Sequence, residues 1–147
     1  MYLYRRKAQY HETDQMGIIH HSNYVRWMEE ARVAFLDLVG LGYGKVEQLG
    51  IVSPVAGISL EYKRQVQFGD EVEIRVEVQK YNGVVMEFRY EFYNLTKGEV
   101  CTLASSRHGF LKDGKIVSLK RELPELDRLM TEYMGQAAGT GEPKTLQ

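Results

Sequence analysis

Asp14 stands in a polar, histidine-rich loop, a few residues ahead of the point where helical periodicity begins. A carboxylate in that place can act as a base or as a nucleophile. The helix start beside it offers unpaired backbone N–H groups and a partial positive charge, which can hold a developing oxyanion. His20, His21 and Tyr10 share the segment YHETDQMGIIHHSNY. Taken alone, each has a plainer reading. Asp14 reads as a turn aspartate bonding its own backbone. His21 reads equally well as a partly exposed loop histidine, and Tyr10 as a core tyrosine with a satisfied hydroxyl.

Other chemistries find less support. His11-Glu12 opens like a zinc helix motif, but position 15 is Gln and the second ligand is missing. His20 and His21 are adjacent in a loop and cannot easily face one ion together, and His108 is distant in a strand. No metal site is expected. There is no G-x-S-x-G elbow and no glycine-rich phosphate loop after a strand. Cys101 lies mid-strand and reads as packing.

The loop must be positioned by its neighbours. Tyr2–Tyr10 reads as a first strand whose Arg5, Arg6 and Lys7 form a solvated basic face. Ser22 or Asn23 is a suitable N-cap for a helix. Tyr24, Trp27, Met28, Ala31, Ala34, Phe35, Leu38 and Leu41 then make one apolar stripe. Arg26, Glu29, Glu30 and Asp37 fall on the opposite face, interrupted by Val33. Gly40, Gly42 and Gly44 end the helix.

Lys45–Ser53 reads as a link. Alternation then predicts strands over Ile58–Val66, Val72–Val78 and Val84–Phe92, with a hairpin turn at Asn82-Gly83. Val100–Leu111 makes another strand, and Asp113-Gly114 closes a hairpin to Lys115–Ser118. Leu123–Met134 reads as a short amphipathic helix. The reading is one domain over 1–135 and a flexible tail over 136–147. A strand, a long helix and a meander of strands make an α+β fold with a largely antiparallel sheet. Its open edges invite pairing with a second copy.

Composition sets the outer bounds. A chain of 147 residues holds one sizeable core. The formal net charge of −1 supplies no basic field for nucleic acid. No apolar run is long enough to span a bilayer, and the first ten residues carry no secretory signal. A single cysteine rules out an intramolecular disulfide and fits a reducing, cytoplasmic setting.

The pattern Tyr10-x-x-x-Asp14-x-x-Gly17-x-x-x-His21-x-x-Tyr24, followed by Trp27 and Glu30-Ala31-Arg32, resembles the hotdog-fold acyl-CoA thioesterases. It is most similar to the 4-hydroxybenzoyl-CoA thioesterase superfamily and its YbgC/FadM-like branch. The resemblance is dense in the loop and helix and continues as strand order over most of the chain. It implies a hotdog fold, in which a curved, mainly antiparallel sheet of five to six strands wraps a long central helix. It implies subunits paired into one sheet, as a homodimer or a dimer-of-dimers tetramer, with active sites at the interface.

The family aspartate falls on Asp14, the histidine of the branch on His21 and its tyrosine on Tyr10. The oxyanion amide would come from around His21 and Ser22. Gly17 and Tyr24 would shape the substrate site. Gly57 and Ile58 would offer backbone bonds to the pantetheine arm. Lys63 and Arg64, with Arg107, are the basic candidates for the nucleotide. Gln15-Met16 ahead of Gly17 and Ile18-Ile19-His20 ahead of His21 depart from close relatives, which bears on pocket shape.

The implied reaction is hydrolysis of a fatty or aromatic acyl-CoA to free acid and CoA. A thiol leaves readily because its pKa is about 8.5, so neither a strong general acid nor a cofactor is required. Asp14 would attack the carbonyl or orient water. Two alternatives remain: a thioesterase acting on acyl carrier protein or a polyketide-type chain, and a non-catalytic acyl-CoA-binding domain. Glu29 and Glu30 raise the helical glutamate of another hotdog branch, but both lie on the polar face.

Overall fold

The computed structural model describes residues 1–40, 43–137 and 144–145. In chain order these form β1 (Tyr2–Lys7), a 3-10 turn (Tyr10–Glu12), α1 (Ser22–Leu38), α2 (Tyr43–Gln48), β2 (Ile51–Val52), β3 (Val55–Tyr62) and β4 (Glu71–Tyr81). There follow β5 (Met86–Asn94), β6 (Glu99–His108), β7 (Leu111–Lys112), β8 (Lys115–Ile116), α3 (Leu119–Glu122), α4 (Pro124–Ala137) and β9 (Lys144–Thr145).

Six strands make the main sheet in the order β3-β6-β5-β4-β1-β9, and every pairing is antiparallel except that of β1 with β9. This is the expected α+β hotdog arrangement. Val72, Ile74 and Val76 of β4 and Phe88, Tyr90 and Phe92 of β5 are fully buried on one face. Their polar alternates, such as Glu71, Arg75, Arg89 and Glu91, take the other face, as a period of two requires. The β4–β5 turn falls at the expected Asn82-Gly83, but the connection spans residues 82–85, so β5 begins at Met86 rather than Val84. Gly83 is at φ +88°, and Asn82 Oδ1 accepts the N–H groups of Val84 and Val85.

The long helix lies on the apolar face. Tyr24, Trp27, Met28, Ala31 and Phe35 are buried, and Phe35 meets Phe88 with ring centroids 5.8 Å apart. The stripe ends sooner than its periodicity predicted. Leu38 is 43% exposed, and Leu41 lies outside the described residues. Gly40, at φ +87°, turns the chain away.

Several boundaries differ from the sequence reading. The expected link Lys45–Ser53 contains part of α2 and all of β2. β3 stops at Tyr62 rather than running to Val66, because the amides of Lys63 and Arg64 both turn onto the Cys101 carbonyl. The expected strand Val100–Leu111 breaks after His108, where Phe110 turns inward, and β7 joins a small separate sheet with β2 and β8. α4 reaches Ala137, and the tail expected over 136–147 falls mostly outside the described residues.

Arg6 overturns the reading of a solvated basic face. Its side chain is 14% exposed, donates to Glu30 and to Glu12 Oε1, and lies 4.7 Å over the Trp27 ring. Glu12 is the other end of that contact and is itself buried. Its Oε1 also accepts the Gln9 N–H, its Oε2 accepts Trp27 Nε1–H at 2.7 Å, and its backbone carbonyl accepts Asn23 Nδ2 and the His20 N–H. One residue thus ties β1, the loop and α1 together. Removing one member of a buried charged group leaves the others uncompensated. Glu12→Ala is expected to cost about 3–5 kcal/mol of unfolding free energy, measured by urea titration, against less than about 0.5 kcal/mol for Glu71→Ala on the exposed face.

A second polar chain crosses the core. Arg32 Nη1 donates to the Tyr90 hydroxyl at 3.3 Å, that hydroxyl shares a hydrogen bond with Ser106 Oγ, and Ser106 Oγ lies 2.7 Å from His108 Nε2. Burial, and then the charge of Arg32, hold the His108 pKa down at about 4. The folded protein therefore refuses a proton that the unfolded chain takes up below about pH 6.5. Stability contributed by neutral His108 is complete above that pH and is lost as pH falls toward about 4. Between pH 7 and 4.5, His108→Gln is expected to lose roughly 2–3 kcal/mol less stability than the wild type, measured as the difference in pH slope of urea unfolding.

Candidate active site

The loop ahead of α1 is a small bridged hairpin. Thr13 pairs with Ile19 and Ile18 with Gln67, while the Asp14 N–H donates to the Ile18 carbonyl at 2.8 Å. Gly17 closes the turn at φ +78° with its N–H on the Asp14 carbonyl, a conformation few other residues adopt cheaply. Asp14 Oδ1 accepts the Met16 N–H at 2.8 Å, so the turn-aspartate reading is correct for one oxygen. No partner among the described residues holds the other.

Asp14 lines an open cavity of about 400 Å³ together with Met16, Ile18, Ile19, His21, Tyr24, Tyr62, Lys63, Arg64 and Gln65. Of the residues singled out from sequence, the fold brings together Asp14, His21, Tyr24, Lys63 and Arg64. Tyr24 is buried beneath the cavity, and burial raises its phenol pKa far above the ordinary value. It serves as a neutral wall. Lys63 and Arg64 are exposed at the rim, with loose contacts of 3.6 Å to Glu61 and 3.9 Å to Glu99. Such surface pairs hold little energy, which leaves both cations open to an anionic ligand.

Other candidates lie elsewhere. Tyr10 is 77% exposed and packs edge-on against Phe68 with centroids 5.7 Å apart; among the described residues no hydrogen bond joins its hydroxyl to Asp14. Gly57 and Ile58 sit toward the far end of β3, in a separate polar depression with Arg107. Gly17 shapes the loop and does not line the cavity. A further cavity, between the C-terminal half of α1 and α4, is apolar and only about 40 Å³. It holds no titratable side chain and reads as a packing defect.

The start of α1 departs from the expected cap. Ser22 and Asn23 both lie inside the helix. The Ser22 N–H donates instead to His20 Nδ1 at 3.2 Å, with the Ser22 hydroxyl 2.8 Å from the same nitrogen, and the Asn23 N–H donates to the His20 carbonyl. Asn23 spends its side chain on Glu12. The His20 ring stacks on His21 with centroids 4.1 Å apart. Of the two amides expected to face an oxyanion, that of Ser22 is engaged, and that of His21 has no acceptor among the described residues. Sequence reading passed over His20 and Tyr62. Histidine is not a preferred capping residue, so the His20 contact had no local signal, and the Tyr62 contact joins residues 41 positions apart.

Cys101 is buried, donates to the Phe92 carbonyl, and has its thiol pKa pushed up by burial to about 11. It is no nucleophile at neutral pH. Among the described residues no group of three or more His, Cys, Asp or Glu side chains could hold a metal ion, and no helix is long and apolar enough to cross a membrane.

The model of the thioesterase-like superfamily matches residues 8–130. A solved structure described as a DHNA-CoA thioesterase from Staphylococcus aureus superposes with a TM-score of 0.91 at 29% identity, covering 100% of both chains. A hypothetical protein from Aquifex aeolicus superposes with a TM-score of 0.78 at 34% identity, over 84% of this chain and 97% of that one. A Bacillus subtilis protein whose name proposes an acyl-CoA thioesterase is 37% identical over 102 residues, 69% of this chain and 73% of that one. With its fold, its loop and most of its length matched, the chain belongs to the thioesterase-like superfamily.

Proposed function

We propose that the chain hydrolyses acyl-CoA thioesters at the cavity beside α1, with Asp14 as the reacting carboxylate and the His21 amide as the oxyanion donor. The observation that supports this reading is that Asp14 and His21 line one cavity, with one Asp14 oxygen and the His21 amide both without a partner among the described residues. A carboxylate there can attack the thioester carbonyl to give a mixed anhydride, which water then hydrolyses. It can equally draw a proton from attacking water. Either route puts negative charge on the carbonyl oxygen, where the amide and the positive end of α1 stabilise it. The thiolate of CoA leaves unaided.

The acyl group would lie against Met16, Ile18 and Tyr24, and Lys63 and Arg64 would meet the phosphates of CoA. Relatives named as a DHNA-CoA thioesterase and a 1,4-dihydroxy-2-naphthoyl-CoA hydrolase favour an aromatic acyl group. The exposed His21 imidazole, on the same residue as the donor amide, would orient the thioester or water. The single cysteine supports a reducing, cytoplasmic setting, and no cofactor is invoked. A carrier-protein substrate would need the same chemistry with a broader basic rim.

The site is completed by a second copy of the chain. β3 is an edge strand, yet Val55, Ile58 and Tyr62 are 47%, 42% and 48% exposed. A bare apolar edge of this kind calls for a partner. Antiparallel pairing of two β3 strands about Leu60 would set Ile58 of one copy opposite Tyr62 of the other and Gly57 opposite Lys63. That register would carry the pantetheine-binding candidates to the cavity rim.

Two outcomes are expected. Asp14→Asn should lower kcat for thiol release from benzoyl-CoA or straight-chain acyl-CoAs by at least about 10²-fold with little change in Tm; an unchanged kcat on the best substrate would remove Asp14 from the reaction. Ile58→Lys should reduce the mass seen by light scattering to that of a monomer and lower kcat/KM together with it, whereas activity retained in a monomer would separate the site from the assembly.

A further inference from the structure

The peptide unit between His21 and Ser22 is held at both ends by side chains that the reaction itself does not require. Its carbonyl oxygen accepts the Tyr62 hydroxyl at 3.1 Å, and its N–H donates to His20 Nδ1 at 3.2 Å. Both side chains are braced in turn. The Tyr62 ring packs edge-on against Tyr24, with centroids 5.0 Å apart, and Tyr24 is buried on the first turn of α1. The His20 backbone is fixed by its N–H on the Glu12 carbonyl and its carbonyl on the Asn23 N–H.

A peptide plane rotates as one unit. Fixing the His21–Ser22 plane from two sides therefore also limits rotation of His21 about its own backbone bonds, and with it the direction of the neighbouring His21 N–H. Spending the Ser22 N–H on His20 has a second consequence. It withdraws the competing donor, so a thioester oxygen arriving at the helix start meets one amide and not two. A donor held in advance costs no reorganisation when charge develops, which is the condition for electrostatic stabilisation of a transition state.

We propose that Tyr62 and His20 are positioning residues that clamp the His21–Ser22 peptide and so select the His21 amide as the oxyanion donor. This rests on the thioesterase reading of the Asp14 cavity. Neither side chain needs to touch the reacting atoms. Tyr62 stays a donor throughout the useful pH range, since burial raises its phenol pKa. The clamp also crosses elements: Tyr62 ends the edge strand β3, whereas His20 and His21 lead into α1. Whatever orders the sheet edge thereby orders the catalytic amide.

The test uses the full chain and the best-turned-over member of a panel running from acetyl-CoA to palmitoyl-CoA and including benzoyl-CoA. Tyr62→Phe removes one hydroxyl and keeps the ring contact with Tyr24. His20→Ala removes the acceptor, and His20→Asn restores an acceptor able to reach an N–H two residues on. Tyr62→Phe and His20→Ala should each lower kcat by about tenfold, with KM and Tm nearly unchanged. His20→Asn should recover most of the loss. Because both contacts hold one peptide, the double variant Tyr62→Phe/His20→Ala should lose clearly less than the product of the two single losses.

Wild-type kcat in both single variants overturns the clamp, as does a loss confined to KM or a loss that follows Tm. A full product of losses in the double variant also overturns it, since two independent roles would then explain the data. Asp14→Asn run alongside keeps the two levels apart. If it stays active, the underlying site reading fails; if it is inactive while Tyr62→Phe and His20→Ala behave as wild type, only the clamp fails.

Discussion

The Glu12 carboxylate is the contact on which the site depends. It is a charge placed in the interior, and it is tolerated there because both oxygens have donors: Arg6 and the Gln9 backbone N–H on Oε1, and the Trp27 indole on Oε2. A charge this committed has few alternative partners nearby, so it specifies geometry as well as contributing energy. Arg6 brings β1, Trp27 brings the second turn of α1, and the Glu12 carbonyl brings Asn23 and His20. The loop from Gln9 to Asn23 is therefore suspended between a strand and a helix at a fixed height. Asp14 and His21 inherit their positions from that suspension without making any of its bonds themselves.

The division of labour suits the reaction. A thioester needs little push, because its leaving group is already a weak base. What the protein must supply is direction: an oxygen beside the carbonyl carbon and a donor where the carbonyl oxygen will carry charge. Rigid backbone provides both more cheaply than a set of titrating side chains would. The groups whose pKa values burial shifts are held in their neutral forms. His108 is held neutral in the core, Cys101 is held as a thiol, and Tyr24 is held as a phenol under the cavity. The rim carries Lys63 and Arg64, where water and an anionic ligand both reach them.

Residue type alone made the helix, the two central strands and the Asn82-Gly83 turn legible, since each rests on a local period or on a φ that few residues accept. The Asp14 loop was legible through its motif, and Asp14, His21, Tyr24, Lys63 and Arg64 do converge on one cavity. What escaped reading depends on contacts between distant elements. Nothing near Arg6 in the sequence says that Glu12 and Glu30 will enclose it, so three adjacent cations looked solvated. Leu38 fits the helical stripe, but the period cannot tell how far along that stripe the burial runs. The same holds for β3. Its alternation runs on past Tyr62, yet the amides of Lys63 and Arg64 are captured by the Cys101 carbonyl, and the strand stops. Asn23 looked like a cap and became a buried strut, because the Glu12 carbonyl competed for its side chain and won.

Tyr62 is the last paired residue of β3, opposite Thr102, and its hydroxyl reaches the His21 carbonyl from there. Had the pairing run on, Lys63 and Arg64 would alternate across the sheet in place of turning together toward the cavity. The capture of two successive amides by the Cys101 carbonyl thus ends the strand and sends two cations to the rim. The strand that ends here is the open edge of the sheet, with apolar side chains still uncovered. A chain that built its rim on a buried central strand could fix the rim alone. Building it on the edge makes the geometry of the site answerable to whatever pairs with that edge. That is the physical reason for expecting activity and assembly to vary together in this protein.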